Sequence, residues 1–226
     1  MLERVVSQKS QARRAFSVLR EMVVTNKLPP GSTHLEVELA EMLGMSRTPV
    51  REAAIILESQ GLVEMRPRRG MRVLPINLAD MREIYEVLSA LEPLAAAKLA
   101  ERGLAEEEDE AFEGDLVEME TALKGEEDLE RWAAADDAFH RRLVLAAGNS
   151  RVITFTQHVA DQVKRARMLT LRLRPTPHAS NADHRALLVA IRNRDPARAD
   201  ALHRAHRRSS GEQLMALIEQ HGLGPV

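Results

Sequence analysis

The chain has 226 residues, a formal net charge of −2 and no cysteine, with 44% hydrophobic but only 3% aromatic residues. That excludes a disulfide framework, a thiolate metal site and a cysteine nucleophile, and a composition led by alanine, leucine, arginine and glutamate favours a mainly helical protein of one or two domains. No apolar run approaches the roughly 18–20 residues needed to span a bilayer, and no secretory-type apolar segment follows the N-terminus, so the expectation is a cytoplasmic protein with no membrane partner.

The charge is unevenly distributed. Residues 1–75 carry 12 Lys+Arg against 8 Asp+Glu, and the rest carries 20 against 26. The first third is the part suited to a polyanion.

In chain order, Ala15, Phe16, Leu19, Met22 and Val23 recur at helical spacing between Gln11 and Val24, and KLPPGS stops that helix. A second helix runs from about Leu35 to Leu43, with Gly44 as a left-handed C-terminal residue. A third starts at Ser46 and buries Val50, Ala53, Ala54 and Leu57. Two short runs of strand character, LVEM and MRVL, flank the charged turn RPRRG. Three helices and a hairpin predict a winged helix-turn-helix over 1–75. From 76 to 226 the patterns predict only helices, over about 79–102, 106–124, 127–147, 150–173, 181–193 and 196–220, in an all-α bundle. The acidic run AEEEDEAFEGD reads as a solvated helix face over buried Phe112, Leu116 and Met119.

The segment SRTPVRE opens the third helix. In a helix-turn-helix the second helix of the motif enters the major groove with its leading residues at the base edges. Ser46 can cap free amides there, and Pro49 gives up an N–H that would lack a partner anyway. Arg47, Thr48 and Arg51 are left to reach bases or phosphates. Arg66, Arg68 and Arg69 form a second basic point in the wing, with Gly70 allowing its turn. Two-fold symmetric readers of this kind bind double-stranded DNA operators with an inverted repeat, as homodimers.

A second constellation lies in the helical part. Asp136 and His140 stand four residues apart on one helix face, and His184, His203 and His206 sit on two further helices. Imidazole and carboxylate converging in a bundle suit a divalent transition metal such as zinc, nickel or manganese. The bland alternative is a surface ion pair and isolated histidines. An alternative function for such a set is a metal-dependent enzyme, although nothing else in the bundle offers a nucleophile or general base. Arg165 and Arg167 lie on the helix that follows AGNSRV, where the plain reading is a solvated helix face.

The run LAEMLGMSRTPVREAAIILESQGLVEMRPRRGMRV resembles the winged helix-turn-helix of the GntR family of bacterial transcription regulators, and the helical remainder resembles the FCD ligand domain of its FadR-like branch. The resemblance implies a DNA-binding regulator, a repressor by family default, in which Arg47, Thr48, Arg51 and Gly70 contact the operator. It also implies a metal held by Asp136, His140, His184 and His206 and a small carboxylate effector bound at the metal, for which Arg165 and Arg167 are further candidates; His203, about 60–100° away from His206 on an ideal helix, is the less favoured ligand. Val37 and Leu88 stand where relatives often carry a DNA-contacting and an effector-binding arginine.

Overall fold

A computed structural model describes residues 2–224, with side chains from residue 10 onward. One compact unit takes the chain up to Ile76 together with Asp161–Leu169; the other takes Asn77–Ala160 with Thr170–Gly224.

The first unit begins with α1 (Leu2–Val24), β1 (Thr33–His34), α2 (Glu36–Leu43) and α3 (Arg47–Ser59), followed by β2 (Val63–Arg66) and β3 (Gly70–Val73). Its core is Leu19, Val23, Leu39, Val50, Leu57, Leu62, Met71 and Val73, the helix faces read from the sequence plus the inward residues of the wing. Two strands were expected and three are present, in the order β1-β3-β2, all antiparallel. Thr33 pairs with Arg72 and His34 with Met71 across the extra ladder. A two-residue strand following Pro29, Pro30 and Gly31 carries no period that a sequence pattern could reveal.

Gly44 takes the left-handed conformation expected at the end of α2, with φ 60° and ψ 38°. Ser46 does occupy the N-cap of α3, but its side chain makes no capping hydrogen bond, which corrects the expected role. The helix start relies instead on the extended backbone at Ser46 and on Pro49, buried within the first turn.

The second unit contains α4 (Leu78–Arg102), α5 (Glu106–Ala122), α6 (Leu129–Ala146), most of α7 (Ser150–Thr170), α8 (His178–Arg192) and α9 (Pro196–Gln220). Asn77, Asp128, Asn149 and Asp195 cap α4, α6, α7 and α9 by accepting from backbone amides of the first turn. The most extensive pairing is α4 along α9, while α5 packs on α6 and α8 packs on α9. Phe112, Phe139 and Trp132 are fully buried, with the two phenylalanine rings edge-to-face at 5.3 Å.

The acidic helix α5 is more than a solvated face. Asp109 pairs with Arg192 at 2.7 Å, Asp115 with Arg142 at 2.7 Å, and Glu113 and Glu120 both engage Arg185. Those four carboxylates are therefore matched to arginines on α6 and α8.

Within α4, Pro93 has no N–H to give the Ser89 carbonyl four residues earlier. Arg204 of α9 supplies the missing donor, its Nη1 lying 2.8 Å from that oxygen.

Candidate nucleic-acid interface and candidate metal centre

The helix-turn-helix presents Arg47, Thr48 and Arg51 on the exposed side of the first turns of α3, because Pro49, Val50, Ala53 and Ala54 turn inward. The side chains of Arg47 and Arg51 are 71% and 67% exposed, yet each leans toward Glu36 of α2, at 3.5 and 3.8 Å. Glu36 holds the two arginines side by side without burying them. In the wing, Arg68 and Arg69 are exposed at the hairpin tip, Arg68 in the left-handed region at φ 64°. Arg66 pairs with Glu64 at 2.9 Å, so the tip rests on the other two.

Gly70 has a second reason for being glycine beside the turn expected of it. At φ +81° a Cβ would lie 2.2 Å from the His34 carbonyl oxygen, so the residue allows β1 to lie against β3. Val37 is 44% exposed on α2.

In the helical unit, Asp136 and His140 of α6, His184 of α8 and His206 of α9, the set that the family resemblance implied, come together. All four are buried. His140 Nε2 lies 3.1 Å from His184 Nε2, and the two oxygens of Asp136 lie 3.7 and 3.6 Å from those nitrogens. His140, His184 and His206 bring one ligand atom each within 4.8 Å of one another. His206 is oriented through Nδ1, 3.2 Å from Asp183, which leaves Nε2 as the nitrogen it can offer.

Burial drives the His184 ring well below its usual pKa. Burial, with the Arg207 charge next in weight, takes His140 down to about 3. These rings are neutral at physiological pH and keep a lone pair for a cation. Two neutral imidazoles meeting nitrogen to nitrogen need a proton or a cation between them. Ligands of one zinc-like ion, each about 2.0–2.1 Å from it, stand roughly 3 Å apart. The donor set of three imidazoles and one carboxylate, meeting through His140 Nε2 and His184 Nε2, fits a metal.

His203 was expected to turn away from His206, and it does, but into a second buried cluster rather than into solvent. Its Nε2 lies 2.8 Å from Glu92 Oε2, and Arg207 grips both oxygens of Glu92 at 2.6 Å. One helix reaches two neighbours: His206 faces α8 and His203 faces α4. Sequence reading missed Glu92 altogether. Its signal is a lone carboxylate inside LSALEPLAAAKLA, a stretch otherwise fit for a core.

Arg165 and Arg167 lie on the segment of α7 that belongs to the N-terminal unit, not to the unit that holds the histidines. Arg165 donates to the Leu62 carbonyl at 3.1 Å and to that of Pro75 at 3.5 Å, and Gln162 donates to Gln60 at 3.1 Å. Arg165 turns Nη1 and Nη2 to backbone carbonyls, a structural use of the guanidinium that the sequence reading did not anticipate. The same contacts explain why residues 161–169 leave the helical domain expected over 76–226. Leu88 is buried on α4.

A three-helix unit with a basic wing, followed by an all-helical unit, defines a winged-helix transcription regulator. The sequence model of the bacterial regulatory proteins of the gntR family matches residues 11–73, and that of the FCD domain matches residues 83–209. The chain belongs to the GntR family and carries its FCD domain, and it is a DNA-binding transcription regulator rather than an enzyme. An uncharacterized HTH-type transcriptional regulator in the TAR-I ttuE-ttuC' intergenic region of Agrobacterium vitis is 41% identical over 143 residues, covering 63% of this chain and 84% of that protein. Another, in an unstable DNA locus of Streptomyces ambofaciens, is 34% identical over 208 residues, 89% of this chain and 84% of its own length. Among solved structures, E. coli McbR/YncC superposes with a TM-score of 0.80 over 93% of this chain and 98% of its own, at 19% identity. No helix among the described residues is long and apolar enough to cross a membrane.

Proposed function

We propose that this regulator is a homodimeric, cytoplasmic repressor whose helical unit holds a divalent transition metal through Asp136, His140, His184 and His206 and responds to a small carboxylate effector. The observation that carries the metal reading is the meeting of His140 Nε2 and His184 Nε2 at 3.1 Å above the Asp136 carboxylate, all of it buried. Those four residues would hold the ion, which would supply a Lewis acid for an effector carboxylate. The residues of this chain orient the ligands and keep them dehydrated.

Arg47, Thr48 and Arg51 read base edges from the head of α3, Ser46 lies against the backbone there, and Arg68 and Arg69 with Gly70 bring the wing to phosphate or minor groove. Two copies related by a two-fold axis read an inverted repeat. An effector that prefers a dimer shape ill-matched to that repeat releases the DNA, by no more than its differential affinity for the two shapes.

The test is the melting temperature of chelator-stripped protein with zinc, nickel or manganese, beside the Asp136→Ala/His140→Ala variant. Saturating to about 100 times the dissociation constant adds about 2.7 kcal/mol to the native state. A rise confined to the wild type supports the centre. A wild type indifferent to all three metals overturns it.

A further inference from the structure

Beside the proposed metal ligands lies a second convergence that the metal reading does not use. Glu92 is 3% exposed in the middle of α4. Its Oε2 receives Arg207 Nε at 2.6 Å and His203 Nε2 at 2.8 Å, and lies 3.3 Å from His140 Nδ1. Its Oε1 receives Arg207 Nη2 at 2.6 Å.

Glu92, His140 and His203 bring ligand atoms within 4.8 Å of one another, the spacing of a possible second ion. Charge argues against that use. The cluster's only carboxylate already carries a guanidinium on both oxygens, and a second cation would meet Arg207 head on. His203 is committed to the Glu92 carboxylate through its Nε2. What remains open to Glu92 is the contact with His140, whose Nδ1 is buried and has no well-aligned hydrogen-bond partner of its own.

We propose that Glu92, held in place by Arg207 and His203, is a positioning residue for the metal centre: it takes the Nδ1–H of His140 and thereby commits the Nε2 lone pair to the ion. The inference rests on the metal reading above. The logic is tautomeric: an imidazole with a metal on Nε2 carries its proton on Nδ1, and a carboxylate on that proton fixes the ring and makes the ligand more basic. Asp183 stands in the same relation to His206, at 3.2 Å from its Nδ1. His203 then serves as a donor to the clamp and not as a fifth ligand, and its place on α9 three residues before His206 is explained.

The test uses full-length, chelator-stripped protein titrated with cobalt(II), whose visible spectrum reports ligand geometry, with zinc competition for affinity. Glu92→Gln is expected to weaken binding by about 10- to 100-fold and to alter the spectrum. Because that change removes the Glu92 carboxylate from the buried Arg207 guanidinium, Glu92→Gln/Arg207→Met is measured beside it and is expected to lose the same affinity with no guanidinium left at the site. A folded variant of either kind that binds cobalt with wild-type affinity and spectrum overturns the positioning role and leaves the metal centre standing. A wild type that takes up no cobalt or zinc overturns both. Histidine-¹⁵N NMR of the metal-loaded wild type needs no variant: a His140 ring bound through Nδ1, with its proton on Nε2, overturns the proposal.

Discussion

A Cβ placed on Gly70 would stand 2.2 Å from the carbonyl oxygen of His34 and 2.9 Å from Leu35 Cα, contacts that only backbone movement can relieve. Gly70→Ala should therefore part β1 from β3 and cost more than about 2 kcal/mol, since a positive φ is added to the collision. Thermal unfolding of the purified variant checks it, and operator affinity should fall with it. A melting temperature within a degree of the wild type would show that the wing yields more easily than its geometry indicates.

Gly211 makes the opposite test of helix propensity. It lies within α9, where alanine ordinarily gains about 1 kcal/mol over glycine. A Cβ there would meet Tyr85 Cδ1 at 2.6 Å, and Tyr85 is buried on α4. Gly211→Ala is expected to lose about 1–3 kcal/mol in urea denaturation, the usual cost of overpacking. Tyr85→Leu in the same chain should recover part of the loss, and a stabilised single variant would contradict the close approach.

At the DNA-reading head the two arginines and Glu36 separate specificity from charge. Arg51→Ala should cost about 1–3 kcal/mol on the preferred operator and relax base choice if its contact is bidentate. Glu36→Gln removes a weak hold on Arg47 and Arg51, an exposed pairing worth about 0.2–1 kcal/mol. It should tighten binding to all sequences by a similar small amount and leave the base preference alone. Fluorescence anisotropy on specific and random duplexes distinguishes the two outcomes, and equal binding by Arg51→Ala would remove that residue from the interface.

Acid should destabilise the metal-free protein. Burial first, then the Arg207 charge, lowers His140 to about 3, and burial lowers His203 to about 4, against about 6.5 in an unfolded chain. Between those values the unfolded state binds more protons, so the stability is fully present above about pH 6.5 and declines as pH falls toward 3–4. Glu92, whose carboxyl Arg207 and its histidine partners hold well below the usual range despite its burial, adds to the loss only at the acid end of that window. Urea unfolding between pH 8 and pH 4.5 reads this directly, and a flat profile from pH 7 to pH 5 would contradict the burial of neutral rings.

Most of the architecture was legible because glycine and proline punctuate it. The helix expected over 79–102 is α4 at Leu78–Arg102, and the one expected over 196–220 is α9 at Pro196–Gln220. Gly103 and Asp195-Pro196 mark those ends in the sequence itself. The Asp136 and His140 pairing was legible too, since four residues make a helix turn.

What escaped has physical reasons. β1 is too short to show a period. Glu92 is masked by its apolar neighbours, and nothing local reveals that its counter-charge sits on α9, 115 positions later. His203 diverges from His206 on a helical wheel, as expected, but α9 has a partner on either side, so divergence leads to a second buried site. Arg165 illustrates the converse, because a guanidinium suited to a carboxylate is equally suited to two backbone carbonyls.

The proline in α4 and the arginine in α9 have a consequence for ancestry. Pro93 leaves the Ser89 carbonyl without its helical donor, and Arg204 provides one from α9. A lineage that replaces Pro93 restores the local amide and frees Arg204 to drift; a lineage that loses Arg204 first strands a carbonyl. Among relatives the two positions should change together, with the proline departing before the arginine.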